Sequence, residues 1–201
     1  MLTIGITGGV GAGKSLIMDI LQKRYGAFVL KADEAAHLLE EPGEDCYNKL
    51  LDTFGNGILA KDGHIDKYKF AALIFSDEDK LKAANSIIHP AVRVYIIDAM
   101  ERERAKGTEI FALEAALLIE EHYDEILDEL WYIYVPEDIR RQRLKSSRGY
   151  TDEKINSIFS SQLPEEIFRK SCRYTVDNSG SVEYTSDQID ALLKDRGIGI
   201  N

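Results

Sequence analysis

Cysteine is nearly missing from this chain. Cys46 and Cys172 are the only two, and neither sits in a paired or metal-ligand spacing. This excludes a disulfide-built scaffold and a zinc module, and it fits a reducing cytoplasm. Basic residues are also in deficit, 25 Lys and Arg against 35 Asp and Glu, for a net charge of −10. A protein that follows a nucleic-acid backbone needs a basic field, so a general nucleic-acid binder is excluded. A locally basic pocket for a polyphosphate is not. Long apolar runs are absent too: Ile110 to Ile119 is interrupted by Glu114 and is too short to span a bilayer. The N-terminus runs straight into a strand-like segment, so no secretory leader is expected, and there is no internal repeat or low-complexity tract. The expectation is a soluble cytoplasmic protein with no membrane or nucleic-acid partner, of a length that suits one α/β domain with an added helical piece.

What the chain does have is Gly8-Gly9-Val10-Gly11-Ala12-Gly13-Lys14-Ser15. It follows the apolar Leu2-Thr3-Ile4-Gly5-Ile6-Thr7 and leads into helix-compatible sequence from Leu16 to Tyr25. This is the G-x-x-x-x-G-K-[ST] phosphate loop in its setting of strand, loop and helix. Glycines let successive backbone N–H groups approach phosphate oxygens, and the following helix aims its positive end at the same anion. Lys14 can reach the β- and γ-phosphates, and the Ser15 hydroxyl can ligate Mg²⁺.

Beyond the loop, Ala27–Leu30 is a short strand pattern ending at Lys31-Ala32-Asp33. Helical patterns cover 35–40 and 45–54, and then nearly all of 66–104. Asp66 and Ser76 are the N-cap candidates there, and Pro90 is placed at the first turn of a long helix. So long a stretch between strands exceeds an ordinary crossover and points to an inserted helical subdomain. Strand patterns return at Glu109–Leu113, Leu130–Val135 and Tyr174–Val176. Helices are expected at 137–146, at 151–162 up to Pro164, and at 182–193. Strands alternating with helices in this way predict a three-layer α/β fold with a five-stranded, mainly parallel sheet.

Asp33 stands at the end of the second strand, where open α/β sheets hold ligands. It suits two roles equally: accepting the proton of an acceptor hydroxyl, or capping the helix that follows. From Tyr134 to Gly149, five basic residues (Arg140, Arg141, Arg143, Lys145, Arg148) face two acidic ones. Helical spacing pairs Arg140 with Arg143 and Arg141 with Lys145, so at most one pair can face a phosphate and the other is solvated. His89, before Pro90, and Glu120, beyond the third strand, are weaker candidates with structural readings of their own.

Several ordered motifs together resemble the dephospho-coenzyme A kinases. They are Ile6–Ser15, Ala32-Asp33, Glu41-Pro42-Gly43, His89-Pro90, Glu114-Ala115-Ala116-Leu117-Leu118-Ile119-Glu120, Arg143-Leu144, Gln162-Leu163-Pro164 and Asp177-Asn178-Ser179-Gly180. The resemblance implies phosphoryl transfer from ATP to the ribose 3′-hydroxyl of dephospho-coenzyme A, with Mg²⁺ on Ser15. It implies ATP binding by Gly11, Ala12, Gly13, Lys14, Ser15 and Leu16, and catalytic roles for Lys14, Asp33, Arg143 and Arg148. Acceptor contacts fall to His37, His89 and Glu120. The implied organisation is a nucleotide core (1–44, 107–137, 173–201), an inserted acceptor region (45–106) and a lid (138–172). Lys31, His37, Ala116, Ser147 and Leu16 depart from the usual family residues. The rival readings are another P-loop nucleoside or nucleotide kinase, and a nucleotide switch. The switch lacks its guanine-reading N-K-x-D, since Leu50-Leu51 follows Asn48-Lys49.

Overall fold

In the computed structural model, which describes residues 1–200, the expected alternation is present. Residue 201, the last of the core segment expected at 173–201, lies outside the described residues. The order is β1 (Leu2–Thr7), α1 (Lys14–Tyr25), β2 (Phe28–Lys31), α2 (Ala32–Leu39), α3 (Asp45–Phe54), α4 (Lys67–Phe75) and α5 (Glu78–Ala105). There follow β3 (Ile110–Glu114), β4 (Glu129–Tyr134), α6 (Glu137–Arg148), α7 (Asp152–Ser160), α8 (Glu165–Ser171), β5 (Tyr174–Asp177) and α9 (Val182–Lys194). The strands form one five-stranded parallel sheet in the order β2-β3-β1-β4-β5. Ile4 stands opposite Ala112 on one side and Glu129 on the other, and Trp131 opposite Tyr174. Because β1, β3, β4 and β5 run parallel, the loops that follow them leave from one edge.

Contacts divide the chain into two compact units, Met1–Leu30 with the chain from Glu103 onward, and Lys31–Arg102. In the first, Ile4, Ile6, Trp131, Ile133 and Val176 pack against Ile17 and Leu21 of α1 and Ile189 and Leu193 of α9. Each such fully buried side chain contributes about 1.5–3 kcal/mol. Trp131, the single tryptophan, is fully buried. Its indole N–H donates to Glu129 Oε1 at 2.8 Å, and its ring meets Tyr174 edge-on at 6.4 Å. Glu129, itself buried, also accepts from Arg196 and lies 3.7 Å from Arg173. No helix among the described residues is long and apolar enough to cross a membrane.

The second unit packs around Cys46, Leu50, Ile58, Phe70 and Ala84. By its contacts it spans Lys31–Arg102 and includes α2, where Leu39 at the end of the helix packs on that cluster. Asp66 caps α4, accepting from the Tyr68 and Lys69 N–H groups at 3.0 and 3.1 Å. Ser76 does not start the next helix; it closes α4, and Asp77 accepts from the Asp79 N–H at 2.9 Å instead. Pro90 lies inside α5, not at its first turn. An internal proline costs about 3 kcal/mol through a lost N–H donor and a ring clash. Ile87, Ile88 and Ala91 on both sides of it pack into the core and outweigh that cost. Residues 138–172 group with the sheet unit, and α8 within them has no counterpart in the sequence expectation.

Candidate active site

The loop after β1 needs two of its glycines for distinct reasons. Gly8 has φ +147°, and a Cβ there would meet the Ile133 carbonyl oxygen at 2.6 Å. Gly13 has φ +83°, and a Cβ there would run into Asn178 Nδ2. Gly13 is also the N-cap of α1 and supplies no side-chain cap; its carbonyl accepts from the Leu16 N–H at 3.0 Å, and the start of the helix offers its positive end to an anion. The first turn of α1 contains no acidic residue to oppose that field. Lys14 Nζ donates to the Gly8 carbonyl at 2.9 Å, which holds the ammonium across the mouth of the loop.

A cavity of about 390 Å³ opens on the loop, lined by Gly11, Gly13, Lys14, Ser15, Glu114, Arg143, Ser147 and Arg148. Ser15 is exposed, with its hydroxyl at the start of α1. Arg143 Nη2 donates to the Asn178 carbonyl at 2.9 Å. Asn178 is buried; its Nδ2 donates to the Ala12 carbonyl at 2.8 Å and its Oδ1 accepts from Thr185 Oγ1 at 2.9 Å. Arg143 and Arg148 therefore meet Lys14 and Ser15 in one cavity. On the other side of α6, Arg141 and Lys145 share Asp152 at 3.2 and 2.8 Å, and Arg141 also meets Glu137 at 3.1 Å. The Lys145 hydrogen bond, followed by the Arg141 one, holds the Asp152 carboxyl below its ordinary range. Arg140 lies over the Phe159 ring, 4.4 Å from its centroid. Leu16 packs its side chain against the sheet core, leaving only its backbone to serve the loop.

Glu120 is exposed on the turn after β3 and is not in the loop cavity, where Glu114 at the strand end is. Asp33, His37 and His89 belong to the second unit. The N-cap of α2 is Lys31, not Asp33, and Asp33 sits inside the first turn with an exposed carboxylate. The capping reading of Asp33 therefore falls. His37 is exposed in the last turn of α2, near Glu40, whose carboxyl is pushed up by burial and pulled down by His37 and Lys67. His89 is half-buried on α5. In the sequence Asn178 stands only as part of a motif, with no role of its own. The signal was there: an apolar strand running into Asp-Asn-Ser-Gly at the carboxyl end of a parallel sheet.

The sequence model of the dephospho-CoA kinase family matches residues 2–184. The chain belongs to that family. The matched span runs from β1 into α9, so the loop, the α6 arginines and Asn178 all lie within it. A dephospho-CoA kinase of Carboxydothermus hydrogenoformans is 36% identical over 191 residues, 95% of this chain and 92% of its own. One of Geobacillus kaustophilus is 36% identical over 193 residues, 96% of each chain. A crystal structure of a Thermus thermophilus protein superposes with a TM-score of 0.82 at 28% identity, covering 96% of this chain and 97% of that one. Membership of this family makes the chain a P-loop kinase, transferring a phosphoryl group to a hydroxyl.

Proposed function

We propose that the protein transfers the γ-phosphoryl group of ATP to the ribose 3′-hydroxyl of dephospho-CoA, giving CoA and ADP in the cytoplasm. The family match over nearly the whole chain carries this reading, and the loop cavity supports it with the groups the reaction needs. In the transfer, the bond from the γ-phosphorus to the 3′-oxygen forms, its bond to the β,γ-bridging oxygen breaks, and the hydroxyl proton leaves to a base. Loop amides and Lys14 stabilise the β- and γ-phosphate oxygens, where charge redistributes in the transition state. Arg143 and Arg148 add charge at the same cavity. Asp33, exposed on the first turn of α2, takes the proton.

Mg²⁺ fits the oxygen donors present, since the Ser15 hydroxyl lies in the loop cavity with Glu114 and would hold the ion there. When bound, it neutralises charge on the phosphate oxygens. Residues 45–106 are assigned to the acceptor, with contacts from His37, His89 and Glu120, and residues 138–172 to a lid. Neither a nucleic acid nor a membrane has a part in this reading. ADP release in a coupled assay, with dephospho-CoA beside adenosine, AMP and uridine, tests it. Turnover with dephospho-CoA alone is the expected result. Protein that binds ATP yet gives no product from dephospho-CoA would overturn the proposal.

A further inference from the structure

Arg140 has its own set of contacts on α6, although Arg141 also approaches the Phe159 ring, 5.4 Å from its centroid. Arg140 neither lines the loop cavity with Arg143 and Arg148 nor joins the Asp152 pairs of Arg141 and Lys145. Its Nη1 donates to Gln162 Oε1 at 3.1 Å, and its guanidinium lies over Phe159 near the end of α7. A Cβ built on Gly9 would collide with that Nη1 and come within 2.9 Å of Gln162 Oε1. A Cβ on Gly11 would come within 3.2 Å of the Arg140 carbonyl oxygen. The phosphate loop is thus backed directly by Arg140, whose guanidinium would have to move aside for any side chain at Gly9. A cavity of about 340 Å³ lies beside this contact, with Gly9, Arg140, Phe159 and Gln162 in its wall.

The corner that Arg140 supports is the one that holds the Lys14 ammonium. Lys14 Nζ is held by the Gly8 carbonyl, and this ammonium serves the β- and γ-phosphates. The Gly8–Gly9 corner therefore sets where the ammonium sits. We propose that Arg140 is a positioning residue for phosphoryl transfer, clasping the end of α7 to the Gly8–Gly9 corner through Phe159 and Gln162. An arginine does this where a lysine cannot, because a planar guanidinium stacks on a ring and donates in its plane at once. Misplacement of a reacting group by about 1 Å can cost on the order of a hundredfold in rate, so the clasp acts on turnover and on the γ-phosphate more than on the rest of the nucleotide.

The kinetic arm rests on the dephospho-CoA kinase reading; the binding arm needs only the nucleotide. Arg140→Ala, Arg140→Lys, Phe159→Leu and the Arg140→Ala/Phe159→Leu double variant are compared for kcat and KM with dephospho-CoA. Calorimetric Kd values for Mg-ATP and Mg-ADP, and a melting curve, are measured on each. Arg140→Ala is expected to lose about tenfold or more in kcat and about fivefold in ATP affinity, with ADP affinity within about twofold of wild type. Arg140→Lys should stay near Arg140→Ala. Phe159→Leu should move both quantities in the same direction by less, and should add nothing in the Arg140→Ala background, since coupled residues are not additive. A wild-type ratio of ATP to ADP affinity in Arg140→Ala, or independent effects in the double variant, would overturn the proposal. Absence of dephospho-CoA turnover in the wild type would overturn the proposed function instead and leave the ATP-to-ADP ratio to decide the clasp.

Discussion

Asn178 is the most consequential buried polar group of the nucleotide site, and its replacement by Asp tests how the loop is held. The side chain is 2% exposed and bridges two elements: Nδ2 donates to Ala12 in the loop, and Oδ1 accepts from Thr185 on α9. Ala12 is 1% exposed, so water cannot replace the lost donor. Asn178→Ala leaves that carbonyl buried and unsatisfied at a cost of about 1–3 kcal/mol. Thr185 suffers less, because its hydroxyl keeps the Ser181 carbonyl at 3.2 Å. At about 2–4 °C per kcal/mol for a chain of this size, the melting temperature should fall by roughly 2–12 °C.

Asn178→Asp has nearly the same shape, yet it should be the worse variant at pH 8. It sets a carboxylate oxygen against the Ala12 carbonyl, two acceptors facing each other in a buried place. Burial and that oxygen raise the folded-state pKa of the new carboxyl above its unfolded value of about 3.9. The variant is therefore penalised as pH rises through the folded pKa and recovers as pH falls, where a protonated carboxyl can donate to Ala12. Thermal melts of wild type and both variants between pH 5 and 8, with ATP titrations at each pH, measure this. Asn178→Asp as stable as wild type at pH 8, or a deficit independent of pH, would refute the reasoning.

Three further outcomes follow from the geometry. Asp33→Asn should depress kcat by about a hundredfold, the usual scale for loss of a general base. Its melting temperature should not change, because the exposed carboxylate caps nothing; near-normal turnover would remove Asp33 from the mechanism. Single Ala substitutions at Arg143 and Arg148 should lower kcat by far more than those at Arg141 and Lys145, whose partners lie on the surface side of α6; equal losses at all four positions would count against the assignment. Burial pushes the Cys172 thiol up to about 12 and also raises that of Cys46. Native protein at pH 8 should therefore react slowly with a thiol reagent and denatured protein quickly. Since an unfolded thiol ionises near 8.5, the stability these neutral thiols lend should decline as pH rises above about 8.5, and fast labelling of the native state would contradict the burial.

The sheet was readable because its strands are apolar on both faces. Ile4 and Ile6, Trp131 and Ile133 announce a strand from whichever side they are read, and errors there amount to a residue at each end. The phosphate loop was readable because its chemistry tolerates few residue types. Pro90 was misread for the opposite reason: local backbone preference favours the first turn, while the burial of Ile87, Ile88 and Ala91 is settled by tertiary packing. Ser76 failed as a cap because Asp77, one residue on, supplies the acceptor. On α6, spacing alone separated Arg140 and Arg143 from Arg141 and Lys145, but it could not say that Phe159 and Gln162 would take Arg140 while Asn178 took Arg143. Such partners come from distant parts of the chain, and no local pattern encodes them. The grouping of α2 with the helical unit has the same origin, in the packing of Leu39.

Trp131 gives the molecule an optical label of its own. Its emission arises from a single indole, sealed from water, one strand away from Ile6 just ahead of the phosphate loop. The Glu129 carboxylate on the indole N–H adds a fixed local charge that shapes the colour of that emission. Unfolding opens the pocket to water and removes the charge together, so the spectrum should shift to the red in one step when the parallel sheet comes apart. A dye is not needed, and no second tryptophan blurs the signal. Opening confined to the Lys31–Arg102 unit, in which Trp131 has no part, should leave the spectrum still. Fluorescence and circular dichroism recorded side by side would then tell the melting of the helical unit from the melting of the sheet.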